Sequence, residues 1–410
     1  MTSDIDVPSP GGAVRADALT RSGPSAAAAA RTPASTAAWS GDRVFFSPRL
    51  EALRGLAALA VACYHAAQTP WSGEARLLTH PYHADWFSQA LSKVLLALSN
   101  GGGAVNLFFV LSGFVLAGSL ARGPAQAVPA ARRFVIARLF RLYPAVWVTV
   151  PIFALVFALA GTDLALNPRD GSPTRIALNM LLLDNRINGV MWSLQLELLA
   201  VPLILAAGLL SRRSALPLVA ITAVLVVLSF WGPWTRGIGG LSLNPLFCFT
   251  LGMLIRHAGG AVERLRLHQA AVLFALALCL VFLPRSLFAN STADYRWITL
   301  LEALGAAAII GLVAYRPRSR VATLLDVPAV RFYGRISYSF YLLHPLTLTV
   351  IWAMPAQMEM ALRAGVPSLV LALLLEVGSV AVVTPLAWLC WRYVELPGVA
   401  AGSWLNRRLR

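Results

Sequence analysis

Two side chains that could do chemistry share one stripe of an apolar helix near the start of the chain. Arg54 and His65 stand eleven residues apart in the run from Arg49 to Thr69. At about 100° per residue, this step returns to within about 20° of the same helical face. With a rise of about 1.5 Å per residue, the guanidinium and the imidazole lie roughly 16 Å apart along the axis, or half of a bilayer core. We therefore predict a cation near one membrane surface and a titratable base deep inside the span.

Four further ionisable side chains fall inside apolar segments, where a charge is costly and therefore points to a function. They are Glu197, Glu302, His344 and Glu376. With alternating helix directions, His65 and Glu197 both lie in the outer half of the membrane, where a carboxylate would orient the imidazole and raise its basicity. The alternative is a polar bridge between two helices. The sequence shows no partner for Glu302 or Glu376, and it favours a structural role for His344.

A pair of arginines forms a second candidate site. Arg138 and Arg141 are three residues apart, so they share one helical face, which we expect at the inner end of its span and level with Arg54. Such a cluster orients a membrane protein, binds anionic lipid head groups or grips a phosphorylated ligand. Sequence bias alone favours the first two roles, whereas the mixing of these cations into an apolar helix favours a ligand.

The composition excludes an ordinary soluble protein. Of the 410 residues, 58% are hydrophobic and 13% are charged, and apolar runs of spanning length recur almost to the C-terminus. We predict an all-α, polytopic transmembrane helical bundle, a multi-pass protein of the plasma membrane. About ten spans are expected, at residues 51–69, 101–120, 140–161, 190–210, 215–232, 240–257, 269–286, 297–315, 333–353 and 368–391.

The distribution of charge predicts the orientation of the bundle. A net charge of +16 would indicate nucleic-acid binding in a soluble protein. Here the basic residues concentrate in alternate connections, which places both termini in the cytoplasm, and we expect no nucleic-acid partner. We interpret residues 1–47 as a disordered cytoplasmic tail, 48–397 as the membrane domain and 398–410 as a basic cytoplasmic tail. The four cysteines lack metal-binding spacing, so we expect no metal site.

Six short motifs occur in a fixed order along the predicted membrane domain. They are Arg49–Val61 with His65 beyond it, Asn106–Phe114, Arg138–Pro144, Trp192–Glu197, Ile336–Pro345 and Tyr393–Pro397. In order and spacing they resemble the acyltransferase-three family of integral membrane acyltransferases, which decorate surface sugars, peptidoglycan, lipids or antibiotics. The run Gln195-Leu-Glu197 departs mildly from the small-Val-Glu run more usual in that family.

The resemblance implies a donor and a division of roles. An acyl-CoA, first of all acetyl-CoA, would enter from the cytoplasm, its phosphates would meet the arginines, and its thioester would reach His65. That histidine would act as general base on an acceptor hydroxyl or carry the acyl group transiently, and Glu197 would orient it. The residues expected to bind the donor are Arg54, Arg138 and Arg141, and those expected to contact the reacting groups are Asn106, Ser112, Trp192 and His344.

The sequence leaves the acceptor and a competing class open. A sugar hydroxyl of an exported polysaccharide or glycolipid is the first expectation, and a glycosylated small molecule such as an antibiotic is the second. A proton-coupled secondary transporter is the alternative function, because intramembrane His and Glu residues also suit a proton relay. Paired interrupted helices in related halves would favour transport, and no such pairing is visible in the sequence.

Overall fold

The described part of the chain folds into helices and the connections between them, without a β-strand. The computed structural model describes residues 47–67, 87–160, 172–236, 241–288, 292–316, 320–352, 355–366 and 368–409. All of these belong to one structural unit, Gly41–Arg410. The predicted tail, 1–47, lies outside the described residues except for Ser47. The all-α prediction is confirmed.

The helices are numbered here in chain order. They are α1 (Pro48–Ala67), α2 (Phe87–Leu98), α3 (Gly101–Ala121), α4 (Ala127–Ala160), α5 (Pro173–Met180), α6 (Trp192–Leu210), α7 (Leu216–Ser229), α8 (Gly232–Arg236), α9 (Leu246–Arg264), α10 (Leu267–Phe288), α11 (Thr292–Tyr315), α12 (Arg320–Leu324), α13 (Pro328–Leu343), α14 (Pro345–Trp352), α15 (Pro355–Arg363), α16 (Ser368–Cys390) and α17 (Leu396–Arg408). A short 3₁₀ turn, Gly189–Met191, precedes α6, and a π-helical turn, Trp391–Glu395, joins α16 to α17.

Six described helical stretches are long and apolar enough to cross a membrane, which agrees with a polytopic helical membrane bundle. They are Lys93–Ala121, Ala127–Leu159, Gly189–Leu210, Leu267–Leu287, Tyr295–Tyr315 and Leu373–Arg408. The count of ten spans and the cytoplasmic termini stay predictions. One expected span, 333–353, is divided into α13 and α14 at His344, because the following Pro345 lacks an N–H donor and disfavours helical backbone in the residue before it.

Helix α3 is the centre of the bundle. It is apolar on all sides and packs against α1, α6, α9 and α11, as expected for a helix with no solvated face. Sixteen of its residues are buried, so neighbouring helices are positioned relative to it. Helix α1 packs against α3 on one side and against α13 and α16 on others. The helix that carries Arg54 and His65 therefore packs against three other helices.

Two pairs of glycines set how closely these helices approach. A Cβ atom at Gly55 of α1 would overlap the backbone of Gly334 in α13, and one at Gly334 would overlap the backbone of Glu51. In the same way, Gly113 of α3 and Gly252 of α9 each lie against the backbone of the facing helix. Backbones in contact fix the register of a helix pair more tightly than long side chains do. The Gly55–Gly334 crossing thus determines which residues of α1 and α13 face each other.

Gly55→Ala should therefore destabilise the folded protein by about 1–3 kcal/mol, because an added methyl group must push two backbones apart. Gly378→Ala in α16 is the matched control, since a Cβ there meets no atom within 4 Å. The thermal unfolding midpoints of both variants in detergent measure the difference. A Gly55→Ala protein as stable as the Gly378→Ala protein would contradict the close crossing.

A group of three charged residues fixes the start of α1 to the start of α13. The guanidinium of Arg49 donates from Nε to Asp326 Oδ1 at 2.9 Å. Arg331 in α13 donates from Nη2 to the same oxygen at 2.7 Å. The hydrogen bond from Arg49, assisted by that from Arg331, holds the pKa of the Asp326 carboxyl well below its ordinary value of 3.8. The contact acts at the same pair of helices as the glycine crossing.

This lowered pKa predicts a pH dependence. A carboxyl with a depressed folded-state pKa stabilises the fold at every pH above its unfolded value and loses that contribution as the pH falls further. The unfolding midpoint of Asp326→Asn should therefore lie below that of the wild type by a constant amount between pH 7 and 5, and the gap should narrow below a pH of about 4. A gap that is the same at pH 3 as at pH 7 would show that the triad does not depend on the Asp326 charge.

Candidate active site

His65 is hydrogen-bonded to a second histidine. Its Nδ1 lies 2.9 Å from Nε2 of His344, and the two rings are stacked with an interplanar angle of 9°. The other nitrogen of His344, Nδ1, lies 2.8 Å from the carbonyl oxygen of Tyr341. His344 is almost completely buried, with 1% of its surface exposed. We expected His344 to contact substrate, which stays a prediction, and the structure places its Nε2 against His65.

These contacts determine the tautomers of both rings. The Tyr341 carbonyl can only accept, so Nδ1 of a neutral His344 carries the proton and its Nε2 is an acceptor. His65 must then donate from Nδ1, which leaves the lone pair of that imidazole on Nε2. A chain of two hydrogen bonds therefore prepares His65 Nε2 to accept a proton.

Glu197 does not lie beside His65, as we had expected from the sequence. Its carboxylate forms an ion pair with Arg138 and accepts a hydrogen bond of 2.6 Å from Ser112 Oγ. Arg138 also donates to Ser112 Oγ at 3.2 Å. The reason is electrostatic, because a carboxylate away from water is stabilised more by a guanidinium than by a neutral imidazole. Glu197 therefore positions Arg138 rather than the histidine.

The structure brings the three predicted arginines together. Arg54, Arg138 and Arg141 line one cavity of about 80 Å³, called here the arginine cavity. Its wall also contains Val105, Phe108, Phe109, Ser112, Leu142, Ser193, Leu194, Glu197, Ser337, Tyr338 and Tyr341. Tyr341 lies three residues before His344 on α13, so the cavity ends about one helical turn short of the histidine pair.

The charges around the arginine cavity do not cancel. Arg138 is paired with Glu197, and Arg141 is paired with Glu395, whose side chain is completely buried and also accepts 2.9 Å from Ser339 Oγ. The guanidinium of Arg54 has no hydrogen bond or ion pair with any described residue. Two buried polar atoms of the wall, Arg138 Nε and Ser337 Oγ, also lack a partner among described residues. Among the described residues, three guanidinium groups therefore line the cavity, and two of them are paired with carboxylates.

Glu395 is the residue of this site to which we assigned no role from the sequence. It ends the π-helical turn Trp391–Glu395, and π-turns rotate side chains out of the regular helical order, frequently at functional sites. The signal was present, because Glu395 lies in the last of the six motifs, Tyr393–Pro397. A carboxylate so close to a basic C-terminal end had no partner that spacing alone could identify.

Asn106 belongs to a buried polar network. Its Nδ2 donates to Glu302 Oε2 at 2.7 Å, and Asn100 donates to Oε1 of the same carboxylate at 2.7 Å. Arg285 completes the network with two hydrogen bonds of 3.2 Å to Glu302. Glu302, for which the sequence gave no partner, is therefore fully satisfied. One of the two N–H groups of the Asn106 amide is thus used inside the protein, and the side chain also borders a cavity described below.

A second and larger space lies beside this network. It measures about 650 Å³ and is called here the large cavity. Its described lining comprises Gly102, Val105, Asn106, Trp192, Gly232, Leu241, Ser242, Asn244, Pro245, Arg285, Tyr295, Arg296 and Thr299. Trp192, predicted to contact substrate, faces this space, and its indole N–H has no hydrogen-bond partner among the described residues.

The two cavities are stacked along the helix axes. Val105 of α3 belongs to both walls. Helices α1 and α3 run in opposite directions, because Arg54 and Ser112 share the arginine cavity whereas Tyr64 packs against Gly101. His65, next to Tyr64, is therefore level with the large cavity, and Arg54 is level with the small one. Neither His65 nor His344 forms part of the described wall of either cavity.

The helices and the two cavities define a polytopic helical membrane protein that holds a hydrogen-bonded histidine pair in its interior. A family model described as an acyltransferase domain, acyltransferase 3, matches residues 47–392. The chain belongs to this family, which confirms the resemblance found in the sequence. Comparison with curated proteins and with solved structures gives no match. The protein is thus a membrane acyltransferase, and the membership favours acyl transfer over proton-coupled transport.

The Arg141–Glu395 pair changes what a mutation of Arg141 should do. Arg141→Gln leaves a completely buried carboxylate without its cation, which should destabilise the fold by about 3–5 kcal/mol. Arg141→Gln combined with Glu395→Gln should recover most of that loss, because no buried charge remains. Thermal unfolding of the purified proteins compares the two. Equal stability of the single and double variants would show that the pair does not balance charge in the interior.

Proposed function

We propose that the protein transfers an acyl group, acetyl in the first instance, from acyl-CoA to a hydroxyl group of a sugar-containing acceptor in the plasma membrane. The observation that carries this proposal is the Arg54 guanidinium, which lines a cavity with two further arginines and forms no hydrogen bond or ion pair with a described residue. Guanidinium groups bind phosphate oxygens in a fixed, bidentate geometry. The phosphates of CoA are anions of this kind.

The dimensions of the site support an extended donor. The arginine cavity of about 80 Å³ is smaller than the roughly 300–1,000 Å³ of sites that enclose whole ligands. It accommodates a slender chain and a phosphate group, and the nucleotide rings would remain outside. Arg54 and His65 are separated by roughly 16 Å along α1, a length that suits an extended pantetheine arm. The thioester would then lie beside the histidine pair.

In this mechanism His65 is the general base. Its Nε2 takes the proton of the acceptor hydroxyl while the hydroxyl oxygen attacks the thioester carbonyl carbon. The tetrahedral intermediate collapses with cleavage of the carbon–sulfur bond, and the imidazolium returns its proton to the CoA thiolate. The products are the acyl ester and CoA, and the enzyme is unchanged. His344 acts as a positioning residue, because it accepts the hydrogen bond from Nδ1 of His65 and so stabilises the imidazolium.

The oxyanion of the tetrahedral intermediate needs a hydrogen-bond donor. We had expected Asn106, Ser112 and Trp192 as candidates. The single O–H of Ser112 donates to Glu197 and is engaged, whereas only one of the two N–H groups of Asn106 donates to Glu302. The Trp192 indole N–H faces the large cavity without a described partner. We therefore assign this role to Trp192 and the second N–H group of Asn106, which line the same cavity.

The two ends of the donor site can be separated experimentally. His65→Ala should lower acyl transfer by about 10²–10⁴-fold, the usual contribution of a general base, while acetyl-CoA still raises the thermal unfolding midpoint. Arg54→Gln should instead reduce the rise in the thermal unfolding midpoint that acetyl-CoA produces. Transfer is measured as the gain of an acyl mass on glycans and glycolipids of cells that produce each variant.

His268→Ala is the matched control, since this histidine is exposed on α10 and lies outside both cavities. It should leave transfer and donor binding unchanged. Acyl transfer at the wild-type rate by His65→Ala would exclude the mechanism. Full stabilisation of Arg54→Gln by acetyl-CoA would exclude the arginine cavity as the donor site.

A further inference from the structure

Helices α3, α4 and α17 line a third cavity, called here the α17 cavity, which has a volume of about 320 Å³. We propose that this cavity binds the 3′-phosphate of the CoA donor and so selects CoA among the carriers of acyl groups. This role rests on the proposed acyl transfer from acyl-CoA and identifies the group by which the donor is recognised. The wall of the cavity includes Ser119, Arg133, Phe134, Ser403, Asn406 and Arg407.

The α17 cavity continues the arginine cavity along two helices. On α3, Ser112 lines the arginine cavity and Ser119 lines the α17 cavity. On α4, Arg141 and Phe134 line the same two cavities in that order. The members of each pair are seven residues apart, so they share a helical face and lie about 10.5 Å apart along the axis. Because the pantetheine arm extends in the other direction, toward His65, the 3′-phosphate of a donor bound at Arg141 lies on the side of the α17 cavity.

Two guanidinium groups, from Arg133 and Arg407, determine the charge of the α17 cavity. Neither group forms a hydrogen bond or an ion pair with a described residue, and the described wall carries no carboxylate. Both side chains are exposed, so a ligand can reach them. A phosphate monoester carries a charge of about −1.5 to −2 near neutral pH and three acceptor oxygens. It is therefore a ligand that matches two guanidinium groups in charge and in hydrogen bonding.

The close packing of α17 on α4 brings these two arginines to one site. A Cβ at Gly402 would lie 2.6 Å from the Cβ of Phe140, so the two helices touch at this glycine. One turn further along α17, Asn406 donates from Nδ2 to the backbone carbonyl of Arg133 at 3.3 Å. Arg407 follows Asn406 directly. Helices that are already in contact lose little freedom when a ligand binds between them.

The other groups of the wall favour CoA over the phosphate of an anionic lipid, which has the same chemistry. Ser119 and Ser403 supply hydroxyl groups, and Asn406 supplies an amide, all suited to the ribose and to the polar edge of adenine. Phe134 supplies an apolar surface for the base. A lipid phosphate needs none of these groups, because its remaining parts lie in the bilayer.

The test compares acetyl-CoA with acetyl-dephospho-CoA, which lacks only the 3′-phosphate. Binding is measured by thermal stabilisation of the protein in phosphatidylcholine nanodiscs. The wild type should bind acetyl-CoA about tenfold more tightly, as expected for one charge-assisted contact. Arg407→Gln and Arg133→Gln should each reduce this preference to about threefold or less. Their affinity for acetyl-dephospho-CoA should be unchanged, which also shows that both variants are folded.

Arg408→Gln is the matched control, because it removes the same charge one residue away. The Arg408 guanidinium lies over the Trp404 ring, with its central carbon 4.2 Å from the ring centroid, and Arg408 is not part of the described wall. This variant should retain the preference of about tenfold, which separates a local contact from an effect of net charge. Arg54→Gln should weaken both donors by the same factor, since both contain the pyrophosphate.

A preference for acetyl-CoA that survives both substitutions, or that Arg408→Gln removes equally, would overturn the proposal. Stabilisation by added phosphatidylglycerol that is lost in Arg407→Gln, without a preference between the donors, would assign the cavity to a lipid instead. Equal stabilisation of the wild type by both donors would exclude the 3′-phosphate site alone. Absence of stabilisation by either donor would exclude the acyl-CoA donor itself and this site with it.

Discussion

The site depends on one chain of hydrogen bonds, from the Tyr341 carbonyl through His344 to His65. A carbonyl oxygen cannot donate, and this fixes the proton on one nitrogen of each ring in turn. The basic nitrogen of His65 is thus determined by the backbone of α13 rather than by a carboxylate. Pro345 ends α13 just after His344, and the Gly55–Gly334 crossing sets which residue of α1 faces it. The chemistry of His65 therefore follows from how two helices cross.

The acidic residues determine which arginines of the site are paired and which are not. Glu197, Glu395 and Glu302 each bind one arginine, namely Arg138, Arg141 and Arg285. Glu302 and Glu395 are completely buried and Glu197 is partly buried, so an unpaired charge at these positions would be costly. The Arg54 guanidinium in the arginine cavity has no such partner among the described residues. The arginine cavity and the large cavity share Val105 and are level with opposite ends of the Arg54–His65 stripe.

Periodicity and composition were enough to predict the features that depend on one helix. The all-α membrane class, the Arg54–His65 stripe and the shared face of Arg138 and Arg141 follow from the spacing of residues along a helix. The pairing of Glu197 could not be predicted in the same way. Counting from expected span ends placed it level with His65, whereas α6 begins at Trp192, level with the large cavity, and Glu197 lies about 7.5 Å further along.

Features that depend on two helices needed the structure. The contact between His65 and His344 joins residues 279 positions apart, and no spacing rule connects them. The partners of Glu302 could not be predicted for the same reason. Arg285 lies on the preceding helix, Asn106 lies on α3, and Asn100 precedes α3. The division of the span at His344 was visible as a His-Pro pair but had no assigned consequence. The expected count of ten spans and the expected termini remain predictions from charge and hydropathy.

The tautomer of His65 tests its proposed role as general base most directly. Nitrogen-15 NMR of the protein in lipid nanodiscs, with labelled histidine and with His65→Asn to assign the signal, reports which ring nitrogen carries the proton. We predict a neutral His65 with its proton on Nδ1 and an unprotonated Nε2, and we predict that this preference is lost in His344→Ala. A proton on Nε2 of His65 in the wild-type protein would contradict this role, because that nitrogen could not then accept the proton of an acceptor hydroxyl.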